Sequence, residues 1–130
     1  MPHIVIDYSA NLEEHADLAG LCDLLRRTAA ALEIFPETGV RVRAHRADYV
    51  SIADGDPAHG YIDISVRLRE GRRQADKEAA VGALFQAAQA HLSVVLETRP
   101  VMLSLEMRDI DAALSPKVNT VRDWIESKNV

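Results

Sequence analysis

The start of the chain offers a group that can act as a base. Residue 2 is Pro2, and methionine aminopeptidases remove Met1 when the second residue is small. The mature chain would then begin with a rigid secondary amine. An α-amino group titrates near about 7.7–8.0, and nearby cations and an apolar wall lower its pKa. Because a base works best with a pKa near the operating pH, the Pro2 amine is a candidate catalytic base.

Proline is common at position 2, so this hypothesis depends on the residues around it. Arg41, Arg43 and His45 alternate along a predicted strand and therefore share one face. Arginine binds carboxylates through two parallel hydrogen bonds and can stabilise a developing dienolate. The alternative is a solvated strand face whose arginines form cross-strand ion pairs, for example with Asp7 or Asp63.

A second cationic segment, Gly71-Arg72-Arg73, lies between a predicted strand and a predicted helix. Backbone N–H groups and cations at the start of a helix favour anions. The alternative is an exposed turn with no ligand.

Most other catalytic or cofactor sites are excluded by pattern. The five histidines have no convincing metal spacing, and Asp54-Gly55-Asp56 lacks the rest of a calcium loop. The chain has no glycine-rich phosphate loop, dinucleotide fingerprint or nucleophile elbow. We therefore expect neither a metal nor a cofactor.

Composition narrows the partners and the compartment. The 130 residues carry 15 basic and 20 acidic side chains, a net charge of −5, which argues against a nucleic-acid binder. No apolar run approaches the roughly 20 residues of a membrane span. The single cysteine, Cys22, lies in an apolar helical stripe and predicts a packing role. The chain shows no signal-peptide pattern, so a cytoplasmic location is expected.

Hydrophobic periodicity predicts two strand-helix-strand units in one domain spanning residues 1–130. Asn11 followed by Glu14 resembles the N-cap of the first helix. The predicted order is strand His3–Tyr8, a helix with apolar positions from Leu18 to Leu32, strand Val40–Asp48, loop 53–60, strand Tyr61–Arg69, helix Ala75–Glu97 and strand Val101–Met107. The pseudo-repeats span about 2–48 and 61–109.

This order predicts an α/β fold in which right-handed crossovers place both helices on one face of a four-stranded sheet. Because parallel sheets rarely leave a face in water, the bare face predicts an oligomer. In the tail, residues 114–130, a short helix is expected to pack on the body or on a neighbouring subunit, with Trp124 as a packing residue.

Several of these segments together resemble the 5-carboxymethyl-2-hydroxymuconate isomerase family, a fused-repeat branch of the tautomerase superfamily. They are Met-Pro-His at the start, residues 34–36, Gly39-Val40-Arg41-Val42-Arg43-Ala44-His45, Ala53-Asp54-Gly55 and Gly71-Arg72. The resemblance extends from Pro2 to about Trp124.

The resemblance implies a cofactor-independent homotrimer that converts 5-carboxymethyl-2-hydroxymuconate, an unsaturated tricarboxylate, to its oxo tautomer in homoprotocatechuate breakdown. It implies that Pro2 is the base and that Arg41 and Arg72 bind carboxylates or polarise the keto oxygen. Arg43, Arg73 and Phe35 are further candidates for substrate binding, Phe35 as an apolar wall. Arg73 stands where a small polar residue is expected, so either arginine of the pair is a candidate, and residues 46–51 also depart from the family pattern.

Two alternatives to this function stay open. The same proline could serve a sister enzyme that dehalogenates, hydrates or decarboxylates another unsaturated acid. Alternatively, the chain is a non-catalytic module that binds a small anionic ligand or a partner chain.

Overall fold

The computed structural model describes residues 2–128, which form a four-stranded sheet with helices packed on one face. The strands are β1 (His3–Ser9), β2 (Arg41–Ala47), β3 (Gly60–Arg69) and β4 (Val101–Ile110), and the helices are α1 (Leu18–Ala30), α2 (Gln74–His91), α3 (Ser93–Thr98) and α4 (Val121–Lys128). The predicted α/β fold is confirmed. Met1, Asn129 and Val130 lie outside the described residues, so the removal of Met1 stays a prediction.

The strand order is β2-β1-β3-β4, and the sheet is mixed. Each predicted unit supplies one parallel pair, β1 with β2 and β3 with β4, whereas the central pair β1 and β3 is antiparallel. The rule that parallel sheets are covered on both faces therefore applies only to the two parallel pairs and not to the sheet as a whole. Antiparallel pairs tolerate a solvated face, which weakens the argument from the bare face to an oligomer.

The core lies between one face of the sheet and helices α1 and α2. Alternate residues of the two central strands point into it, and the helices meet them with their apolar stripes. The buried set includes Ile4, Ile6, Ile62, Ile64, Val66, Leu68, Leu21, Leu25, Ala29, Leu84 and Ala88. Cys22 is only partly buried and packs against this core.

The first helix begins later than its predicted cap. Asp17 is the N-cap residue, and its carboxylate accepts a hydrogen bond from the Gly20 amide at 2.9 Å. The prediction of Asn11 as the cap is wrong because its side chain is used elsewhere. Its amide donates to the carbonyls of Pro57 and His59 at 3.2 and 2.8 Å and so ties the first unit to the loop before β3.

The second predicted helix is interrupted at Leu92, whose backbone leaves the helical conformation with φ −96° and ψ 11°. Residues 75–97 therefore form α2 and the short helix α3. At the junction, the ring of His91 lies 2.9 Å from the carbonyl oxygen of Asp17, which joins the end of α2 to the start of α1.

Candidate active site

The two parallel strands of the first unit begin at the same end of the sheet, and this places Pro2 beside Arg41. His3 is opposite Arg41 in the register of β1 and β2, and the Arg41 amide donates to the Pro2 carbonyl at 3.4 Å. The pyrrolidine ring of Pro2 is fully buried. The structure thus brings together the predicted base and the predicted strand arginine.

Gly39 lies directly against the Pro2 ring. A Cβ atom added to Gly39 would lie 3.4 Å from Cδ of Pro2. Since Cδ is covalently bonded to the proline nitrogen, that nitrogen also lies close to the Gly39 backbone. Gly39 and Arg41 line a cavity of about 330 Å³, and the far wall is residues 117–121 of the tail. Arg41 therefore borders the cavity directly, whereas Pro2 lies against Gly39 and is not among the lining residues.

The guanidinium groups of Arg41 and Arg43 both point towards His3. Nη1 of Arg41 lies 3.4 Å from Nε2 of His3, and Nη1 of Arg43 lies 3.4 Å from Nδ1. A neutral imidazole has one acceptor nitrogen, so it can accept a hydrogen bond from only one of the two arginines. Arg41 also donates to the Gly39 carbonyl through Nε and Nη2 at 3.3 and 3.2 Å.

Cross-strand ion pairs, the alternative for these arginines, are not formed. Within residues 2–128, no carboxylate lies within 4.0 Å of the guanidinium of Arg41 or Arg43. Asp7 instead accepts a hydrogen bond from the Tyr61 hydroxyl at 2.7 Å. Burial, and to a smaller extent the Asp7 carboxylate, raises the pKa of Tyr61 to about 12. The strand face thus keeps cationic groups uncompensated next to Pro2.

These cations act on His3, the residue after Pro2. Burial, followed by the charges of Arg41, Arg67 and Arg43, lowers the pKa of His3 from 6.5 to about 4. The imidazole is therefore neutral at neutral pH. No role beyond a possible metal ligand was predicted for the His3 side chain, although its alternation with the buried Ile4 places it on the arginine face.

Arg72 lies at the same end of the sheet as Pro2, since β3 runs antiparallel to β1 and ends beside its beginning. The turn uses Gly71 at φ +103°, a conformation that favours glycine. Nη1 of Arg72 donates to the Arg69 carbonyl at 3.1 Å.

Arg73 is engaged by a neighbouring acid. Its Nε and Nη2 atoms contact the two carboxylate oxygens of Asp76 at 3.0 and 3.1 Å. This hydrogen-bonded carboxylate raises the pKa of Arg73. Arg72 has no acidic partner within 4.0 Å among the described residues, so it is the better placed of the pair for an external carboxylate.

Phe35, the expected apolar wall, is only 3% exposed and belongs to the hydrophobic core. It is not one of the residues that line the cavity next to Gly39. The ring therefore supports the turn that follows it, and a direct contact with substrate stays a prediction.

The tail closes one side of the cavity, which sequence analysis did not anticipate. The Asn119 amide donates to the Thr38 carbonyl at 3.1 Å, and Nε of Arg122 donates to the Thr38 hydroxyl at 3.4 Å. These contacts join residues more than 80 positions apart, for which the sequence contains no local signal. Trp124, expected as a packing residue, is 70% exposed and does not pack on the body.

The described residues were also compared with the requirements of a metal site and of a membrane-spanning helix. No group of three or more His, Cys, Asp or Glu side chains within residues 2–128 is arranged to hold a metal ion. Over the same residues, no helix has both the length and the apolarity needed to cross a bilayer.

The fold and these residues match known proteins. A family model described as 5-carboxymethyl-2-hydroxymuconate isomerase matches residues 2–125. The chain is 33% identical over 121 residues to the 5-carboxymethyl-2-hydroxymuconate Delta-isomerase of Escherichia coli, covering 93% of this chain and 96% of that protein. A solved 5-carboxymethyl-2-hydroxymuconate isomerase from Deinococcus radiodurans R1 superposes with a TM-score of 0.88 at 28% identity, covering 95% and 93% of the two chains.

A more distant solved structure, a fused 4-OT symmetric trimer, superposes with a TM-score of 0.64 at 18% identity, covering 90% of this chain and 92% of the other. The four-stranded sheet and its two helices therefore have the tautomerase fold. Within that class, the chain belongs to the 5-carboxymethyl-2-hydroxymuconate isomerase family.

The position of His3 predicts a pH-dependent stability. Its pKa is lower in the folded chain, about 4, than the ordinary 6.5 of an unfolded chain, so acidification protonates the unfolded state first. The contribution of His3 is complete above about pH 6.5 and is lost as the pH falls to about 4. Between about pH 6.5 and pH 4, the wild type should lose on the order of 1 kcal/mol more free energy of unfolding than His3→Gln, after allowance for solvent screening.

Urea unfolding at a series of pH values measures the effect. His15→Gln, a change at an exposed histidine, is the matched control and should retain the wild-type pH dependence. Identical profiles for His3→Gln and the wild type would contradict the depressed pKa.

Proposed function

We propose that this protein converts 5-carboxymethyl-2-hydroxymuconate to its oxo tautomer, with the Pro2 amine as the base after Met1 is removed. The observation that carries the proposal is that Arg41, which has no acidic partner among the described residues, lines a cavity whose Gly39 wall lies against the Pro2 ring. The name of the Escherichia coli relative supports the choice of substrate.

The reaction requires one proton to move along a conjugated chain. The Pro2 nitrogen accepts the proton of the 2-hydroxyl group, and the oxygen electron pair forms the carbonyl as the double bonds shift. The resulting dienolate receives a proton from the protonated amine at a carbon further along the chain. No electrons leave the substrate, so the reaction needs neither an oxidant nor a reductant, and we propose that no cofactor takes part.

We assign different electrostatic roles to the arginines. Arg41 and Arg72 bind substrate carboxylates or the developing oxyanion, where charge-assisted hydrogen bonds stabilise the dienolate. Arg43 contributes positive potential from the second position along the strand, whereas His3 is neutral at neutral pH. The same potential disfavours a proton on the Pro2 amine and so lowers its pKa towards neutrality. Arg73 is the less favoured partner because Asp76 already occupies its guanidinium.

A cytoplasmic location completes the proposal. The single cysteine, Cys22, is free, and its pKa is raised by burial, which makes it a weak nucleophile suited to packing.

The first test joins the mass of the native protein to the activity of a Pro2 variant. The intact mass should lack Met1, and Pro2→Ala should lower kcat at least roughly 100-fold, the usual contribution of a general base. Pro57→Ala, in the exposed loop before β3, is the matched control and should keep wild-type rates. Rates are measured by following ketonisation of 5-carboxymethyl-2-hydroxymuconate in the ultraviolet.

A retained Met1 would exclude the amine as the base, and wild-type rates in Pro2→Ala would exclude a requirement for the secondary amine of proline. Activity that depends on Pro2 but appears only with a different unsaturated acid would keep the base and replace the substrate.

A second test separates Arg72 from Arg73. Arg72→Gln should lower kcat/KM by roughly 10- to 100-fold, the equivalent of one or two charge-assisted hydrogen bonds. Arg73→Gln should change kcat/KM by less than about threefold and lower stability slightly, because it removes only an exposed pair with Asp76. The opposite order of effects would assign the substrate contact to Arg73.

The proposed assembly is a homotrimer, as in the fused 4-OT structure. The tail supports an assembly because its large apolar side chains are exposed in a single chain: Leu114 79%, Val118 92%, Val121 58% and Trp124 70%. Several large apolar side chains exposed along one short segment are typical of an interface. The packing of the tail on a neighbouring subunit, one of the two sequence-based expectations, accounts for it.

Light scattering after size exclusion should give three times the 14.3 kDa chain mass. Trp124→Ser should shift the distribution towards smaller species, because it removes the largest exposed apolar side chain of the tail. A wild-type mass of one chain would contradict the trimer.

A further inference from the structure

The cavity beside Pro2 has two walls of different origin. One wall is the turn and strand start at 38–41, which contains Arg41, and the other is the tail segment at 117–121. The tail wall contributes a second cation to the same cavity, the exposed Lys117. Sequence analysis did not consider this residue.

The position of the tail wall is held by hydrogen bonds that do not involve a ligand. Asn119 donates to the Thr38 carbonyl at 3.1 Å, and its side-chain oxygen accepts from the Arg122 amide at 3.2 Å at the start of α4. Arg122 in turn donates to the Thr38 hydroxyl at 3.4 Å. Lys117 therefore lies two residues before an anchored position, which limits how far its backbone can move from Arg41.

The ammonium group of Lys117 is available to an anion. No carboxylate of residues 2–128 lies within 4.0 Å of it, whereas Lys77 contacts Asp109 at 3.3 Å. Lys128, at the end of α4, also has no acidic partner among these residues, but it lines none of the cavities near Pro2. Within the described tail, Lys117 is thus the lysine that faces the same space as Arg41.

The proposed substrate has more carboxylates than the two arginines assigned to it. A muconate has two terminal carboxylates, and the carboxymethyl substituent adds a third. Arg41 and Arg72 are assigned to two, Arg43 only adds positive potential at the second position along the strand, and Arg73 is paired with Asp76. The third carboxylate, at the end of a flexible arm, requires another cation.

We propose that Lys117 binds the carboxymethyl carboxylate of the substrate and so determines the preference for a tricarboxylate; this inference rests on the function proposed above. A lysine suits this task because its compact charge, on a flexible four-carbon stem, can follow a mobile carboxylate. Lys117 takes no part in the proton transfer. Its contact is the same in the ground state and the transition state, so its loss raises KM without lowering kcat.

The test compares two substrates that differ in the carboxymethyl arm, 5-carboxymethyl-2-hydroxymuconate and 2-hydroxymuconate. For Lys117→Gln we expect kcat/KM to fall roughly 10- to 100-fold with the first substrate, mainly through KM, and less than threefold with the second. Lys117→Arg should restore most of the loss. Lys128→Gln is the matched control and should behave as the wild type with both substrates.

A second variant tests the anchor without changing the charge. Asn119→Ala should raise KM for the tricarboxylate in the same direction as Lys117→Gln, because it releases the tail from Thr38. Thermal unfolding of each variant establishes that the fold is retained. No change in KM with Asn119→Ala would show that the anchor does not position Lys117.

The outcomes separate this inference from the proposed function. If the wild type converts the tricarboxylate and Lys117→Gln matches Lys128→Gln, the assignment of Lys117 is wrong and the proposed function stands. Equal losses with both substrates would also overturn the assignment, because they would show no recognition of the carboxymethyl arm. A wild type inactive with both substrates would refute the proposed function, and the assignment with it.

Discussion

The register between β1 and β2 is the constraint on which the site depends. His3 is opposite Arg41, so alternate residues of β2 place their guanidinium groups on the open face while Val42 and Ala44 pack against the core. A slip of one residue would reverse every side chain of the strand. The arginines would then enter an apolar core without partners, which is costly enough to exclude the alternative. The packing of the core thus places the cations beside Pro2.

The two units of the fold are alike in backbone, and their parallel pairs begin at opposite ends of the sheet. In the first unit, the Arg41 amide donates to the Pro2 carbonyl; at the opposite end of the sheet, the Gly60 amide donates to the Pro100 carbonyl at 2.9 Å. The second of these ends is reached through internal loops, so every backbone nitrogen there belongs to a peptide bond. The proposed mechanism would therefore use only the first end of the sheet.

The sequence predicted the regular elements well because each has a local signal. β-Branched residues bounded by turn residues identified β1, and alternation identified β3, β4 and the arginine face of β2. The apolar stripe identified α1, although Asn11 was mistaken for its cap. The capping pattern failed because Asn11 makes contacts 46 and 48 positions away, with Pro57 and His59, that local spacing does not encode. The break at Leu92 and the antiparallel central pair likewise depend on tertiary packing.

The candidate site shows the same difference between local signals, which could be predicted, and tertiary contacts, which could not. Pro2 became a candidate from its position after Met1, Arg41 from strand alternation and Arg72 from a glycine turn, and the structure places all three at one end of the sheet. The pairing of Arg73 with Asp76 has a local i, i+3 spacing that could have been recognised. The tail could not, because the contact of Asn119 with Thr38 spans 81 positions.

The separation of charge along the open face explains how an acidic protein can present a cationic site. Asp7 is four residues from His3 along β1, about 13 Å at the rise of a strand, whereas the arginines of β2 are one strand spacing away, about 5 Å. The Debye length at physiological ionic strength is about 8 Å, so solvent screens the distant carboxylate more strongly than the adjacent arginines. The net charge of −5 therefore matters little at this end of the sheet, where burial and the neighbouring arginines together keep His3 neutral and the arginines would attract a polyanionic substrate.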